Sequence, residues 1–191
     1  MDIGKTLLVV LGVVAFIVLA FIIWFISTYN GLVSADQDVN AKWSQVENQY
    51  QRRADLIPNL VKTVQAYATH EATVFEEVAK ARTQWAGAST QSDKMKAAGE
   101  MDSALSRLMV VVEAYPDLKA STGFTTLQAQ LEGTENRIAT ERMRYNDGVR
   151  DYNIKIKRIP TSIVADIYGY KDKPFFEADK GTEKAPSVNF T

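Results

Sequence analysis

His70 is the only histidine in the chain and the first residue to consider for catalysis or metal binding. A di-metal site in a helical bundle uses Glu-x-x-His on two helices, and here Tyr67 occupies the glutamate position before His70. The stretch "HEATVFEE" lacks the second histidine of a zinc-protease helix. No serine lies in the G-x-S-x-G pattern that a hydrolase using His70 as its base would show. We therefore interpret His70 as an exposed helical residue and predict no catalytic residue and no metal site.

Composition excludes several further classes of chemistry. The chain contains no cysteine, which removes disulfides, thiolate metal sites and cysteine nucleophiles together. It has no glycine-rich loop of the kind that binds phosphate. Its 191 residues carry a formal net charge of −1, without the basic stripe that nucleic-acid binding requires. The sequence therefore predicts a protein that is not an enzyme, takes no cofactor and binds no nucleic acid.

Charged residues on the predicted interior face are the remaining candidates for a site. Arg53 and Glu141 both fall on or beside the apolar line of a helix, where a charge is costly unless it is paired and hydrogen-bonded. We take Arg53 as the natural partner of Glu141 and hypothesise an interhelical network that fixes the helix register; the alternative is that the cluster binds a ligand. The network would join Arg52, Arg53 or Asp55 to Glu135, Asn136, Glu141 or Arg142.

Two Tyr-Asn pairs, Tyr145-Asn146 and Tyr152-Asn153, lie seven residues apart. This spacing puts both tyrosines on one stripe of a helix. We expect their rings in the core and their hydroxyls at a polar rim, and we include Tyr145 and Asn146 in the predicted polar network.

The stretch "QRRADLIPNLVKTV" places Pro58 and Asn59 inside what otherwise reads as one very long amphipathic helix. A proline there removes the backbone hydrogen bond to Ala54 and costs ~3 kcal/mol. Either Asp55 caps a new helix with Pro58 in its first turn, or the helix kinks and continues. The apolar spacing keeps its phase across the joint, which slightly favours the kink.

The N-terminal segment from Thr6 to Ser27 is uncharged and apolar, and a helix needs ~20 such residues to cross a bilayer. The alternative is a cleaved signal peptide with "LVSA" as its cleavage site, although secretory apolar cores run only ~7–15 residues. Lys5 lies on the short side of the segment, which favours a cytoplasmic N-terminus. We predict a single-pass protein of the inner (cytoplasmic) membrane with the rest of the chain outside.

Beyond this anchor, apolar residues recur at alternating steps of three and four, as in coiled coils and helical bundles. The first run extends from Val39 to Trp85, the second begins near Asp93 and ends before Pro116, and the third runs from about Thr122 to Pro160. We predict an all-α chain with a short flank, an anchor, a helical bundle and a largely irregular C-terminal tail with a disordered end. Their boundaries are 1–5, 6–27, 28–160 and 161–191.

Five motifs carry a resemblance to a known family: "YNGLV" after the anchor, "QRRADLIPNLV", "EAYPDLKAS", "LEGTENRIATERMRYNDGVRDYN" and "PFFEA". In this order they cover nearly the whole chain, and together they resemble the LemA family. The resemblance implies a membrane-anchored, antiparallel four-helix bundle of long helices, of the up-and-down type. It supplies no catalytic residues, because the family has no established activity.

Two functions fit these features. The first is a membrane-tethered, non-enzymatic scaffold of the bacterial cell envelope that assembles with itself or with other envelope proteins. Large aromatic residues, either in the core or between copies, are its candidate contacts: Trp43, Tyr50, Trp85 and Tyr115. The alternative is a sensor or adaptor that regulates a membrane protease or kinase through the tail or the bundle tip between Trp85 and Asp93.

Overall fold

A computed structural model of the chain describes residues 3–177, except for the side chain of Lys5. Every regular element in this part of the chain is a helix, which confirms the all-α prediction. The helices are α1 (Ile3–Gln65), α2 (Ala72–Gly87), α3 (Gln91–Glu113), α4 (Pro116–Ala120), α5 (Thr122–Lys157) and α6 (Thr161–Ile167). The chain divides into two compact units: unit 1 comprises Met1–Lys42 and Asn146–Lys173, and unit 2 comprises Trp43–Tyr145 and Pro174–Thr191. The predicted disorder at the end of the tail concerns residues 178–191, which lie outside the described residues.

Local signals set several helix boundaries. The hydroxyl of Thr90 accepts a hydrogen bond from the backbone N–H of Asp93 at 3.1 Å, so α3 begins with a side-chain cap. Pro116 lies in the first turn of α4, where its missing N–H is not needed. Gly169 follows α6 with φ 73°, a backbone conformation that glycine adopts without steric cost.

Helix α1 continues through Pro58, which excludes a full turn at residues 54–58. The carbonyl of Ala54, which would otherwise bind the N–H at position 58, accepts a hydrogen bond from Nε of Arg82 at 3.0 Å. A carbonyl left without a donor in the interior costs ~1–3 kcal/mol. Arg82, on α2, therefore supplies the hydrogen bond that Pro58 cannot make.

The first apolar run is not one helix as far as Trp85, and this prediction is wrong. The chain leaves helix at residues 66–71, between α1 and α2, and the ring centroids of Tyr50 and Trp85 are 5.1 Å apart. A continuous helix rising ~1.5 Å per residue would separate them by ~50 Å. Two antiparallel helices carry the same apolar spacing as one long helix, so the spacing does not reveal the reversal. His70 lies exposed in this turn rather than in a helix.

Unit 2 contains parts of α1 and α5 together with α2, α3 and α4. Between α2 and α3, Nε of Arg107 donates to Oε2 of Glu77 at 2.8 Å. Between α1 and α5, the ring centroids of Trp43 and Tyr145 are 5.4 Å apart. The largest buried side chains of this unit include Trp43, Tyr50, Trp85, Met101, Phe124 and Tyr145. Trp43, Tyr50 and Trp85 therefore belong to the core and are not available as contacts between copies.

Unit 1 contains the predicted anchor. Side chains 6–23 of α1 are exposed, and the apolar part of this helix is long enough to cross a membrane, which fits a membrane location. The core of unit 1 consists of Leu32, Val39, Val149, Tyr152, Ile156, Val164 and Ala165. After α6 the chain has no regular structure, but Lys173 is bonded to two helices. Asn153 Oδ1 accepts a hydrogen bond from the backbone N–H of Lys173 at 2.9 Å, and Lys173 Nζ lies 2.9 Å from Oδ1 of Asp36.

Candidate functional site

Arg53 is a buried charged side chain of unit 2, with 3% of its surface exposed. Its Nη1 donates to Oδ1 of Asp102 on α3, and its Nη2 donates to Oε2 of Glu135 on α5. The hydroxyl of Tyr50 donates to the second oxygen of Asp102 at 3.0 Å. We call Tyr50, Arg53, Asp102 and Glu135 the Arg53 cluster. Its guanidinium joins three helices through charge-assisted hydrogen bonds, which meets the requirement that a buried charge be paired.

The protonation states of the cluster follow from its burial. Burial raises the pKa of Asp102, and this effect outweighs the charge of Arg53 and the Tyr50 hydrogen bond, which lower that pKa. Burial, followed by the charge of Asp102, raises the pKa of Tyr50. The Tyr50 phenol therefore keeps its proton and acts as a hydrogen-bond donor. A bound guanidinium, its carboxylates and a neutral phenol do not make an activated nucleophile. These groups are suited to connecting neighbouring helices.

A depression of about 500 Å³, open to solvent, lies over the Arg53 cluster. Its lining consists of Arg53, Asp102, Leu105, Ser106, Met109, Leu131, Glu132, Glu135 and Arg142. The second guanidinium in this lining, that of Arg142, lies 4.1 Å from the centroid of the Phe176 ring. It also donates to the carbonyl of Glu177 at 2.7 Å. Both guanidinium groups are therefore engaged within the chain, and the carboxylates around them offset their charge.

The segment around Phe176 packs against the same part of unit 2. The ring of Phe176 stacks on Tyr50, with centroids 6.0 Å apart and planes 5° from parallel. The Tyr145 hydroxyl donates to the carbonyl of Pro174 at 2.8 Å and accepts from Nε2 of Gln91 at 2.9 Å. Burial raises the pKa of Tyr145 to about 12. Tyr145 therefore joins α5, α3 and the tail through a neutral hydroxyl.

The structure separates the predicted network residues into two groups. Arg53, Glu135 and Arg142 line one depression, with Tyr145 buried in the same unit. The others are exposed or half-buried elsewhere: Arg52, Asp55, Asn59, Asn136, Glu141 and Asn146. Pro58 contributes by freeing a carbonyl for Arg82, as described above.

The predicted pair of Arg53 with Glu141 is wrong. Oε1 of Glu141 accepts a hydrogen bond from Nη1 of Arg144 at 2.7 Å, on the same helix. Glu135, which the network hypothesis also allowed as a partner, binds Arg53 instead. Position 141 lies ~9 Å further along α5 at ~1.5 Å per residue. Asp55 likewise binds within its own helix, because its Oδ1 accepts from Nε2 of Gln51 at 2.8 Å.

Asp102 and Arg82 were not predicted from the sequence, and Tyr50 was predicted only as a large aromatic residue, not as a member of the polar network. Asp102 directly follows Met101, a buried residue of α3, and a charge in that position usually lies at the rim of a bundle. The available signals were indirect: a buried Arg53 needs an anionic partner, and Pro58 leaves the Ala54 carbonyl in need of a donor from another helix.

The described residues contain no group of three or more histidine, cysteine, aspartate or glutamate side chains able to hold a metal ion. In the Arg53 cluster, Asp102 and Glu135 use carboxylate oxygens to bind the guanidinium. The arrangement is therefore suited to holding helices together.

Comparison with known proteins gives a consistent family. The model of the LemA family matches residues 42–190, a range that contains the whole Arg53 cluster. Two relatives are the magnetosome proteins MamQ 1 and MamQ 2 of Paramagnetospirillum magneticum, each 32% identical over 186 residues, which is 84% of this chain and 68% of the relative. A third is the magnetosome protein MamQ of Magnetospirillum gryphiswaldense, 30% identical over 183 residues, which is 82% of this chain and 67% of the relative. The chain therefore belongs to the LemA family.

Proposed function

We propose that this chain is a non-enzymatic scaffold of the bacterial cell envelope, tethered to the membrane by α1 and assembled with further copies of itself. The observation that carries this proposal is the Arg53 cluster. The buried guanidinium of Arg53 binds carboxylates of α3 and α5, which supports a fixed helix arrangement rather than a reaction. The exposed apolar segment of α1 supports the tether.

The proposed architecture is an antiparallel, four-helix, up-and-down bundle formed by α1, α2, α3 and α5. The contact of Trp43 with Tyr145 and that of Arg53 with Glu135 support antiparallel α1 and α5, because the residue numbers change in opposite directions. Helices α2 and α3 are joined by a short connection, as is usual for antiparallel neighbours. We propose residues 28–160 as the bundle, 161–191 as the tail, 6–27 as the anchor and 1–5 as its flank.

The proposed location is the inner (cytoplasmic) membrane, crossed once, with the N-terminus in the cytoplasm. Lys5 flanks one end of the apolar segment, whereas Asp36 and Asp38 follow the other end before the first positive charge, Lys42. Positive charges favour the cytoplasmic side of a membrane segment. An added protease should therefore digest the chain beyond Ser27 once the outer barrier is opened, while the inner membrane stays sealed. Full protection of that region would contradict this orientation.

Self-assembly is proposed from membrane confinement and from exposed apolar side chains. Tethering in a membrane raises the effective concentration of neighbouring copies, so weak lateral contacts become sufficient. Val110 on α3 and Met143 on α5 are large apolar side chains exposed in unit 2. A closed assembly of such copies would be cyclic, with its axis along the membrane normal.

Light scattering of the full-length protein in mild detergent tests this assembly, together with crosslinking in intact membranes followed by mass measurement. We expect masses at multiples of the single chain, and a lower yield of crosslinked product for Val110→Ser than for the original chain. A strictly monomeric mass in detergent over a wide concentration range, with no self-crosslink in membranes, would contradict the proposal.

The family relationship supports a structural role. The names of the three relatives associate them with the magnetosome. These names state no enzymatic activity, which fits the non-enzymatic role that we propose for this chain.

A second candidate function is an adaptor that regulates a membrane protease or kinase. It is favoured by a depression of about 410 Å³ at the turn between α2 and α3, lined in part by Gly87, Ser89 and Asp93. A protein partner of defined size in the crosslinking experiment, in place of multiples of this chain, would favour the adaptor over the scaffold. Loss of that product in Ser89→Trp, with retention in Val110→Ser, would assign the contact to this turn.

A further inference from the structure

Unit 1 exposes a group of large apolar side chains well outside the anchor segment. Ile159, in the turn before α6, is 85% exposed, and Ile163 and Ile167 on α6 are 57% and 64% exposed. Tyr168, at the end of α6, is also exposed. Ile163 and Ile167 are four residues apart and so lie on one face of the helix. We call Ile159, Ile163, Ile167 and Tyr168 the isoleucine face.

The opposite side of α6 is fully used by the core of unit 1. Val164 and Ala165 are buried, at 0% and 1% exposure. Among the described residues, one side of α6 packs within the protein, while Ile163 and Ile167 on the other side stay exposed beside Asp166. Large apolar side chains grouped on an exposed helix face mark a contact with another protein or with a membrane.

The position of the isoleucine face identifies that phase. The ring of Tyr168 lies 4.5 Å from that of Tyr29 and 6.3 Å from that of Phe25, centroid to centroid. Phe25 belongs to the apolar anchor segment, and Tyr29 follows directly after it. Tyrosine and tryptophan gather where a membrane helix meets the headgroups. The contacts of Tyr168 thus place α6 at the level where the anchor leaves the bilayer.

Exposed apolar side chains also lie on the anchor near the residues that Tyr168 contacts. Ile22 and Ile26 of α1 are exposed at the same end of the anchor as Phe25. Arg158 is also exposed, directly beside Ile159, and a cation in that position can reach lipid phosphates. An apolar surface next to a basic residue is the usual composition of a segment that rests in the membrane interface.

We propose that the isoleucine face of α6 docks into the lipid bilayer interface and forms a second membrane contact beside the anchor. A seven-residue helix is too short to bind a membrane by itself. Its tether to α1 removes that requirement, because the contact forms within one molecule. The face lies among the first carbons of the acyl chains, next to the headgroups. This contact fixes the orientation of unit 1 against the membrane. This contact does not depend on self-assembly, so its failure would leave the scaffold proposal in place.

The absence of cysteine allows a direct test, because a single introduced cysteine carries one label. Full-length Ile163→Cys is labelled with an environment-sensitive fluorophore and reconstituted into vesicles of phosphatidylethanolamine and phosphatidylglycerol. The control is Ala129→Cys, which replaces an exposed small residue of α5 in unit 2 that has no part in the proposed contacts. We expect the label at position 163 to emit at shorter wavelength, to be quenched by lipids with a nitroxide high on the acyl chain, and to resist an aqueous quencher. The label at position 129 should behave in the opposite way.

A second variant separates docking from mere nearness to the bilayer. Ile159→Ser combined with Ile167→Ser removes two exposed side chains, so the fold should persist, as thermal unfolding would verify. In this background the label at position 163 should lose much of its quenching by lipid nitroxide. Unchanged quenching would overturn the proposal, as would free access of the aqueous quencher to position 163 in the original background. Efficient crosslinking between copies through position 163, without lipid quenching, would mean that a second copy covers the face and would equally overturn it.

Discussion

Replacing Arg53 with methionine is the sharpest perturbation of the helix arrangement. Methionine keeps much of the length and apolar volume of the arginine stem but removes the guanidinium that joins Asp102 and Glu135. The variant therefore leaves Asp102 largely buried next to Tyr50, without its cationic partner. Glu135 is affected much less, because its side chain is 62% exposed.

The expected loss in the free energy of unfolding follows from the different burial of Asp102 and Glu135. Removing one partner from a buried ion pair costs ~3–5 kcal/mol, whereas an exposed pair contributes only ~0–1 kcal/mol. Asp102 can take up a proton, since burial already raises its pKa, and Tyr50 still hydrogen-bonds it. These two effects put Arg53→Met at the lower end, ~3 kcal/mol, which lowers the melting temperature by ~6–12 °C for a chain of this size.

The measurement is urea unfolding of the full-length protein in mild detergent, with a double-mutant cycle between Arg53→Met and Asp102→Asn. We expect strong coupling between these two substitutions, because each removes the same buried pair. Glu135→Gln and Glu141→Gln are the matched controls, each costing less than ~1 kcal/mol because their pairs reach the surface. A loss below ~1 kcal/mol for Arg53→Met, or no coupling with Asp102→Asn, would refute the assignment of Arg53 as the residue that connects these helices.

Three further predictions concern the surroundings of the Arg53 cluster. Arg82→Met should destabilise the chain by ~1–3 kcal/mol, because it removes the hydrogen-bond donor from the Ala54 carbonyl. The destabilisation should be smaller in a Pro58→Ala background, because a new backbone N–H at position 58 then donates to that carbonyl. Equal destabilisation in both backgrounds would contradict this role of Arg82. Burial raises the pKa of Tyr145 from 10.0 to about 12, so the folded state holds this proton longer than the unfolded state, and its contribution to stability is present below pH 10 and lost as the pH rises through 12. Between pH 10 and 12 the free energy of unfolding should fall less steeply with pH in Tyr145→Phe than in the original chain. An unchanged slope would contradict the raised pKa of Tyr145. Phe176→Ala should cost ~2–3 kcal/mol, somewhat less than a truncation inside a helical core, while its exposed neighbour Phe175→Ala should cost little; equal effects in thermal unfolding would mean that the stacked ring does not hold the segment.

The helical content and the anchor are local properties, and the sequence alone predicts them. Apolar residues at steps of three and four must share one face of a helix, so the spacing predicts α3 and α5. Thr90 and Pro116 lie just outside the two ends of α3. The uncharged segment before Tyr29 needs no tertiary information to be identified as long enough for a membrane. The sequence also indicates that Arg53 is an interior charge, because it interrupts an apolar line.

The reversal at residues 66–71 required the tertiary structure. The same spacing serves a continuous helix and two antiparallel helices, so only the contact of Trp85 with Tyr50 distinguishes them. At Pro58 the sequence allowed a new helix or a kinked continuous one and slightly favoured the second, and α1 does continue through it. A side chain from α2 satisfies the carbonyl that the proline frees, and a distant residue of that kind leaves no mark in the local pattern.

The partner of Arg53 was also decided by the tertiary structure. Burial requires that this arginine be paired, and the sequence contains many carboxylates that meet the requirement chemically. Which of them reaches the guanidinium depends on the relative height of the helices, and a shift of six residues along α5 exchanges Glu141 for Glu135. Asp102 completes the pairing from α3. The sequence determines that a charge in the core must be neutralised, while the packing of one helix against another selects the neutralising residue, because an ion pair forms only over a few ångströms.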